Sequence, residues 1–323
     1  MADATPIYSL AGKRVFVSGH KGMVGSALVR RLVHEHCEVL TVARSELDLR
    51  RQSETETWLE CKRPDVVVIA AARVGGILAN DSYPAGFLYD NLMIEANLIR
   101  AAHLSGVEKL LFLGSSCVYP RLARQPITED ALLAGPLEPT NQWYAVAKIA
   151  GIKLCQAYRR EHGNDFISAM PTNLYGPGDN YDEQSSHVMP ALICKTHTAK
   201  VAGAGHIAVW GSGRPRREFL YVDDLADALV FILTHYSADP PINIGTGVDM
   251  TIRELADLVC EIVGFKGVLR FDETRPDGTP RKLLDVSQLS ALGWRPRTDL
   301  RAGVAAAYRD YVARLTVSSQ SAS

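Results

Sequence analysis

Short, unbroken apolar runs alternate with amphipathic stretches through the first half of the chain. The runs fall at residues 14–18, 39–43, 66–72 and 110–115, and none alternates apolar with polar, as expected of strands covered by helices on both faces. Between them, residues 23–36, 53–63 and 85–105 repeat their apolar positions at helical spacing. Strand and helix in this order mark βαβ units that feed a parallel sheet. The helix predicted at 85–105 carries Phe87, Leu88, Leu92, Ile94, Leu98 and Ile99, more apolar surface than one buried stripe needs. Core burial and contact with a second subunit account for that surface equally well.

The second half breaks this rhythm. Pro, Gly and Asp cluster at 175–180 and again at 276–280, which predicts loops over a ligand. Residues 222–235, 251–263 and 300–315 read as helices, with Asp223 and Thr251 as caps for two of them. The expected architecture is α/β: a Rossmann-type doubly wound parallel sheet with a smaller α/β substrate-binding C-terminal domain. A tail at 1–12 precedes the sheet domain at 13–175, and segments near 207–246 complete the sheet. Residues 176–315 form mainly the second domain, and 316–323 a disordered tail, Ser-rich from Ser318.

Composition acts by exclusion. Apolar residues make up 47% of the chain and charged residues 22%, which places it among ordinary soluble proteins. A net charge of -1 gives no whole-protein attraction to nucleic acid or anionic membrane, so an anionic ligand needs local cations. The longest apolar run, 66–72, is far short of the roughly 20 residues that span a bilayer, and the first 12 residues lack a signal-peptide core. A cytoplasmic location is the expectation. The six cysteines (Cys37, Cys61, Cys117, Cys155, Cys194, Cys260) include no CxxC pair, which argues against a metal site or a disulfide framework. Five of them are expected to be buried as small hydrophobes. Cys117 is set apart by its neighbours.

Chemistry enters at the first strand-to-helix junction, where Gly19, His20, Lys21, Gly22, Met23, Val24 and Gly25 spell G-x-x-G-x-x-G. Glycines at this spacing let backbone amides approach a pyrophosphate at a helix N-terminus. The second predicted strand is followed by Arg44 instead of the acid that binds the ribose 2'-hydroxyl of NAD, and this favours NADP. Lys21 offers a second cation for the 2'-phosphate, and Asp48 is expected near the adenine.

Tyr144 and Lys148 stand at i and i+4, on one face of a predicted helix. An isolated tyrosine titrates near 10, too high for proton transfer at neutral pH, and a neighbouring ammonium favours the phenolate. A Gly-Ser-Ser sequence at 114–116 ends the fourth predicted strand, where doubly wound sheets bind ligands, so that Ser115 can donate to a substrate carbonyl.

Glycine loop, Ser115, Tyr144 and Lys148, in that order, resemble the extended short-chain dehydrogenase/reductase family, over residues 13–311. The strings GSSCVYP at 114–120, PTNLYGPG at 171–178 and WGSG at 210–213 are similar to one branch of it. That branch epimerises a GDP-linked 4-keto-6-deoxy sugar on both sides of the ketone and then reduces the ketone with NADPH. The resemblance implies that Cys117 and His187 form the epimerisation acid/base pair, with the roles of the two left open. It also implies that Ser115 and Tyr144 contact the carbonyl, while Lys148 holds the nicotinamide ribose. Further cofactor contacts implied are Ala71, Ala72, Pro171, Asn173, Leu174 and His187. Implied substrate contacts are Ser115, Ser116, Asn173, Lys195, Trp210, Arg217 and Asp277, and a homodimer is expected. Lys21 and Lys195 stand where relatives also carry arginine, which keeps the charge but not the bidentate geometry. A 4,6-dehydratase of the same family would carry an Asp-Glu pair where this chain has Ser116 and Cys117. An NADP-sensing regulator would have little need of Ser115, Tyr144 and Lys148 together.

Overall fold

The computed structural model describes residues 5–182, 185–275 and 277–320. Its main sheet is built from β1 (Arg14–Ser18), β2 (Glu38–Leu40), β3 (Val66–Ile69), β4 (Lys109–Leu113) and β5 (Asp165–Pro171). Smaller sheets take β6 (Asn173–Tyr175), β7 (His206–Trp210) and β8 (Arg216–Tyr221), then β10 (Asp249–Thr251), β11 (Val268–Asp272) and β12 (Arg281–Lys282), while β9 (Ile242–Ile244) returns to the main one. The helices are α1 (Met23–Leu32), α2 (Gln52–Lys62), α3 (Ile77–Ser82), α4 (Pro84–Leu104) and α5 (Gln142–His162), followed by α6 (Val188–Val201), α7 (Val222–His235), α8 (Ile252–Val263), α9 (Ser287–Leu292) and α10 (Leu300–Gln320).

Strand order in the main sheet is β2-β1-β3-β4-β5-β9, and all its pairings are parallel. Successive strand residues point to opposite faces, so alternate residues feed two cores. Val15, Val17, Val66, Val68, Leu111 and Ile167 pack with Leu28 of α1 and Leu225 and Leu229 of α7. Phe16, Val67, Ile69, Leu110, Phe112 and Phe166 pack on the other side with Leu59 of α2, Leu98 and Ile99 of α4 and Ile152 of α5. This is a doubly wound Rossmann-type sheet, and its order reverses between β1 and β3, where such sheets bind ligands beyond the strand C-termini. A third core joins α6, α8 and α10 to β7 and β8, through Leu192, Ile207, Phe219, Leu255, Val259 and Val304.

Several boundaries differ from the expected ones. β2 stops at Leu40, because this edge strand pairs only with β1 and the chain then turns, with Ala43 N–H donating to Glu46 Oε2 at 3.0 Å. β3 ends at Ile69, leaving Ala71 and Ala72 outside the strand. Thr251 caps α8 in a reciprocal capping box with Glu254, but Asp223 lies inside the first turn of α7, where it pairs with Arg30 at 2.6 Å. α10 runs through Ser318 to Gln320, so the expected disorder from Ser318 does not describe that segment, and residues 321–323 lie outside the described ones. Of the segments near 207–246, β9 joins the main sheet, whereas β7 pairs with β11. Only Cys117 and Cys155 are buried; Cys61 is exposed, since α2 buries Thr55 and Leu59 instead. No helix among the described residues is long and apolar enough to cross a membrane.

The small sheet is tied to the main one through Glu218, a fully buried carboxylate on β8. It accepts backbone N–H bonds from Thr246 (2.6 Å), Gly247 (2.7 Å) and Leu284 (3.0 Å). Glu218→Gln places an amide donor among these donors, and a loss of about 1–3 kcal/mol in urea unfolding is expected. A variant as stable as the parent would contradict the tie.

Candidate active site

Between β1 and α1 the chain turns tightly. Gly19 has φ +74 and lies so close to the segment after β3 that an added Cβ would sit 2.8 Å from Ala71 Cα. At Gly25 a Cβ would sit 2.1 Å from Gly19 O, so any side chain there would push α1 off the loop. Gly22 caps α1 without a side-chain hydrogen bond and no acid stands in the first turn, so the N–H groups and the positive end of the helix stay available to an anion. Met23 and Val24 pack against Val222 and Ala226 of α7, which fixes that end of the helix. His20 is half-buried in the turn and Lys21 is exposed. Arg44 is exposed and makes no ion pair among the described residues. Asp48 is already committed: the Arg50 guanidinium grips it at 2.6 Å and holds its carboxyl down at about 2, and Arg50 reaches on to Asp90 at 3.0 Å. A glycine cradle, an uncapped helix end and an unpaired arginine fit the pyrophosphate and 2'-phosphate of NADP.

The reactive groups come from the ends of β4 and from α5. Ser115 follows β4, and its Oγ accepts the N–H of Cys117 at 3.3 Å. Ser116 and Cys117 are buried behind it. On α5, Tyr144 is half-buried beside Cys117, and the Lys148 ammonium lies 5.8 Å from the centre of the Tyr144 ring. The expectation that Lys148 draws the tyrosine toward phenolate is corrected. Burial and the neighbouring Cys117 and Glu95 push Tyr144 well above its usual value, and Lys148 is engaged with the Glu95 carboxylate at 3.0 Å.

Burial also pushes the Cys117 thiol up, while the Lys282 ammonium pulls it down. Lys282 is the residue that sequence reasoning missed. It sits on β12, in register with Arg217 of β8, and its charge acts on both Cys117 and His187. His187 caps α6; burial, and then the Lys282 charge, lower its affinity for a proton. Two polar atoms beside these groups in sequence, Asn141 Oδ1 and Ser186 Oγ, are buried with no hydrogen-bond partner among the described residues, as in a site that a ligand completes.

Arg217 is half-buried, and burial brings its guanidinium down to about 10 despite the nearby Asp277 and Glu138. Asp277 is occupied structurally: its carboxylate accepts Ser212 N–H at 2.7 Å and the Ser212 hydroxyl at 2.8 Å, holding the 210–213 turn. That turn presents Trp210, whose ring has Lys195 and Arg275 each 5.0 Å from its centre. Arg275 was not foreseen, and Pro276 lies outside the described residues. Asn173 ties β6 to β8 by donating to Glu218 O at 2.8 Å, next to Leu174 and just beyond Pro171 at the end of β5. The loop after Tyr175 is fastened to α10, since Gly178 N–H donates to Asp310 and Arg314 to Asp179 O.

Comparison with known proteins gives a consistent picture. Residues 15–245 match the model of the "NAD dependent epimerase/dehydratase family". The chain is 60% identical over 310 residues to a GDP-L-fucose synthase of Sinorhizobium fredii, covering 96% of this chain and 99% of that protein. It is 52% identical to the GDP-L-fucose synthase of Escherichia coli, over 93% of this chain and 97% of the relative. Among solved structures, a GDP-L-fucose synthetase from Naegleria fowleri bound to NADP superposes with a TM-score of 0.88 at 27% identity, covering 98% of each chain.

The Lys282 placement gives a direct test. In Lys282→Met the pH midpoint for alkylation of Cys117, followed by peptide-resolved mass spectrometry, is expected to rise by about 1–2 pH units, because the cation opposing burial is gone. An unchanged midpoint would show that the ammonium does not act on the thiol.

Proposed function

The chain belongs to the NAD dependent epimerase/dehydratase family, and on that footing we propose that it carries out the GDP-L-fucose synthase reaction: 3,5-epimerisation of GDP-4-keto-6-deoxy-D-mannose, then reduction at C4 to GDP-L-fucose. The observation that carries this reading is the meeting of Ser115, Cys117, Tyr144 and Lys148 with a cation, Lys282, that faces both Cys117 and His187. A simple ketoreductase has no use for a second acid/base pair beside its tyrosine.

The chemistry follows from the ketone. Protons on C3 and C5 are acidic because both carbons flank C4, and removing either leaves an enolate. Ser115 and Tyr144 donate to its oxygen, and each such donor contributes a few kcal/mol, on the order of 3, to stabilising the developing charge. Inversion requires a base on one face of the sugar and an acid on the other. Burial favours the protonated thiol of Cys117 and the neutral imidazole of His187, a pairing of one acid with one base. Lys282 stabilises the thiolate whenever Cys117 gives up its proton.

In the final step Tyr144 donates its proton to O4, its raised affinity keeping it protonated until then. NADPH, when bound, supplies the hydride to C4. The 19–25 loop and the α1 N-terminus would hold its pyrophosphate, Arg44 and Lys21 its 2'-phosphate, and Lys148 its nicotinamide ribose. Arg217, Lys195 and Trp210 would bind the nucleotide diphosphate end of the sugar, with Asp277 shaping the turn that carries Trp210. Exposed Tyr89, Trp143 and Val146 on α4 and α5 support a homodimer formed through these helices.

Two measurements check this. In deuterium oxide without cofactor, the enzyme is expected to exchange both C3 and C5 protons of the substrate, and Cys117→Ser and His187→Gln to slow exchange about 100-fold or more. Exchange at the parental rate in both variants would remove them from the mechanism. Separately, NADPH is expected to bind more tightly than NADH, with Arg44→Asp narrowing the gap by about tenfold through loss of one charge-assisted contact; equal affinities in the parent would refute the role of Arg44.

A further inference from the structure

Glu95 takes no part in the steps above, yet it is almost wholly buried beside Lys148. It comes from α4, among the apolar residues Leu92, Met93, Ile94, Leu98 and Ile99 and the buried Asn97, and is 1% exposed. Its partner Lys148 is 2% exposed, and their charged atoms are 3.0 Å apart. Apart from that ammonium, neither carboxylate oxygen meets a hydrogen-bond donor among the described residues. A carboxylate so placed is costly unless a cation compensates it.

α5 is shaped to admit it. Gly151 follows Lys148 by three residues, and an added Cβ there would lie 2.6 Å from Glu95 Oε2 and 2.4 Å from the Phe112 ring. The same ammonium rests 4.6 Å from the centre of the Phe112 ring and 5.8 Å from that of Tyr144. Lys148 is therefore paired with a buried carboxylate while lying near the ring of Tyr144.

We infer that Glu95 is a positioning residue for the reduction: as the buried counter-ion of Lys148, it places that ammonium and sets how strongly it acts on Tyr144. The inference rests on the proposed reaction, in which Tyr144 gives its proton to O4. Before cofactor arrives, Lys148 is held ready and its field is offset by Glu95. Burial brings Glu95 up to about 7, so the offset itself weakens below neutral pH. The titratable groups that feel Glu95 on α5 are Lys148, Tyr144 and Cys155. Of the other elements against α4, α2 brings Glu56, paired with Arg100 at 3.0 Å, α3 brings the exposed Asp81, and β3 has no titratable side chain.

The pair is tested first in protein without ligands, by thermal unfolding of Glu95→Gln, Lys148→Met and the double variant. Each single change strands one buried partner, so each is expected to lower Tm, and the double variant to recover most of the loss. Losses that simply add, or a double variant that folds no better than Glu95→Gln, would overturn the pairing. The second readout is the pH profile of kcat/KM for ketone reduction. Without the carboxylate, Tyr144 loses a negative neighbour, which moves the high-pH limb of Glu95→Gln down by about one pH unit, a tenfold change in proton concentration, while Glu95→Asp keeps the parental limb. A lowered Tm with an unmoved limb would leave Glu95 a structural residue only. Failure of the parent to oxidise NADPH with the keto sugar would refute the proposed reaction and the positioning role with it, whereas the unfolding cycle would still decide the ion pair.

Discussion

A single buried carboxylate, that of Glu218, ties together the segments from which the site is assembled. Its side chain takes three backbone N–H groups, from Thr246, Gly247 and Leu284, while its own carbonyl accepts from the Asn173 side chain and the Thr172 hydroxyl. Bonds to an ionised acceptor are stronger than neutral ones, and those to its side chain compensate the burial of the charge. The junction of β5 and β6, the turn after β9 and the segment after β12 are thereby fixed to β8. Arg217 is the adjacent residue and Lys282 lies two before Leu284, so the cation that faces Cys117 and His187 is placed by a bond made to its neighbour.

Around that tie, protonation is set by local surroundings. Burial alone would leave Cys117 an inert thiol, and Lys282 opposes it. Burial alone would leave Lys148 an uncompensated charge, and Glu95 answers it. The two ammonium groups have different counterparts and tasks: Lys282 serves proton exchange at carbon, and Lys148 serves the tyrosine and the cofactor. One site can in this way run enolisation and reduction in turn without rebuilding itself between steps.

The cofactor half was legible in the sequence because its signals are local. β1 and α7 fall at the expected residues, and the glycine turn lies between strand and helix as its spacing required. What the sequence did not disclose are effects of pairing between distant segments. Lys282 lies on a two-residue strand with no periodicity to read, and only its register with Arg217 brings it to Cys117. Asp48 was expected near the adenine, and its pairing with Arg50 and, through it, the link to Asp90 on α4 emerge only in the fold. Tyr144 was expected to be drawn toward phenolate, and what opposes this, burial first and then Cys117 and Glu95, comes from chain segments whose meeting no local spacing discloses.

The central claim is that one site both inverts C3 and C5 and reduces C4. It is tested most directly by mixing the protein with NADPH and GDP-4-keto-6-deoxy-D-mannose, following NADPH absorbance, and identifying the sugar by nuclear magnetic resonance. The account predicts NADPH oxidation matched by formation of GDP-L-fucose. Oxidation that yields a sugar with C3 and C5 uninverted, or no oxidation at all, would contradict it.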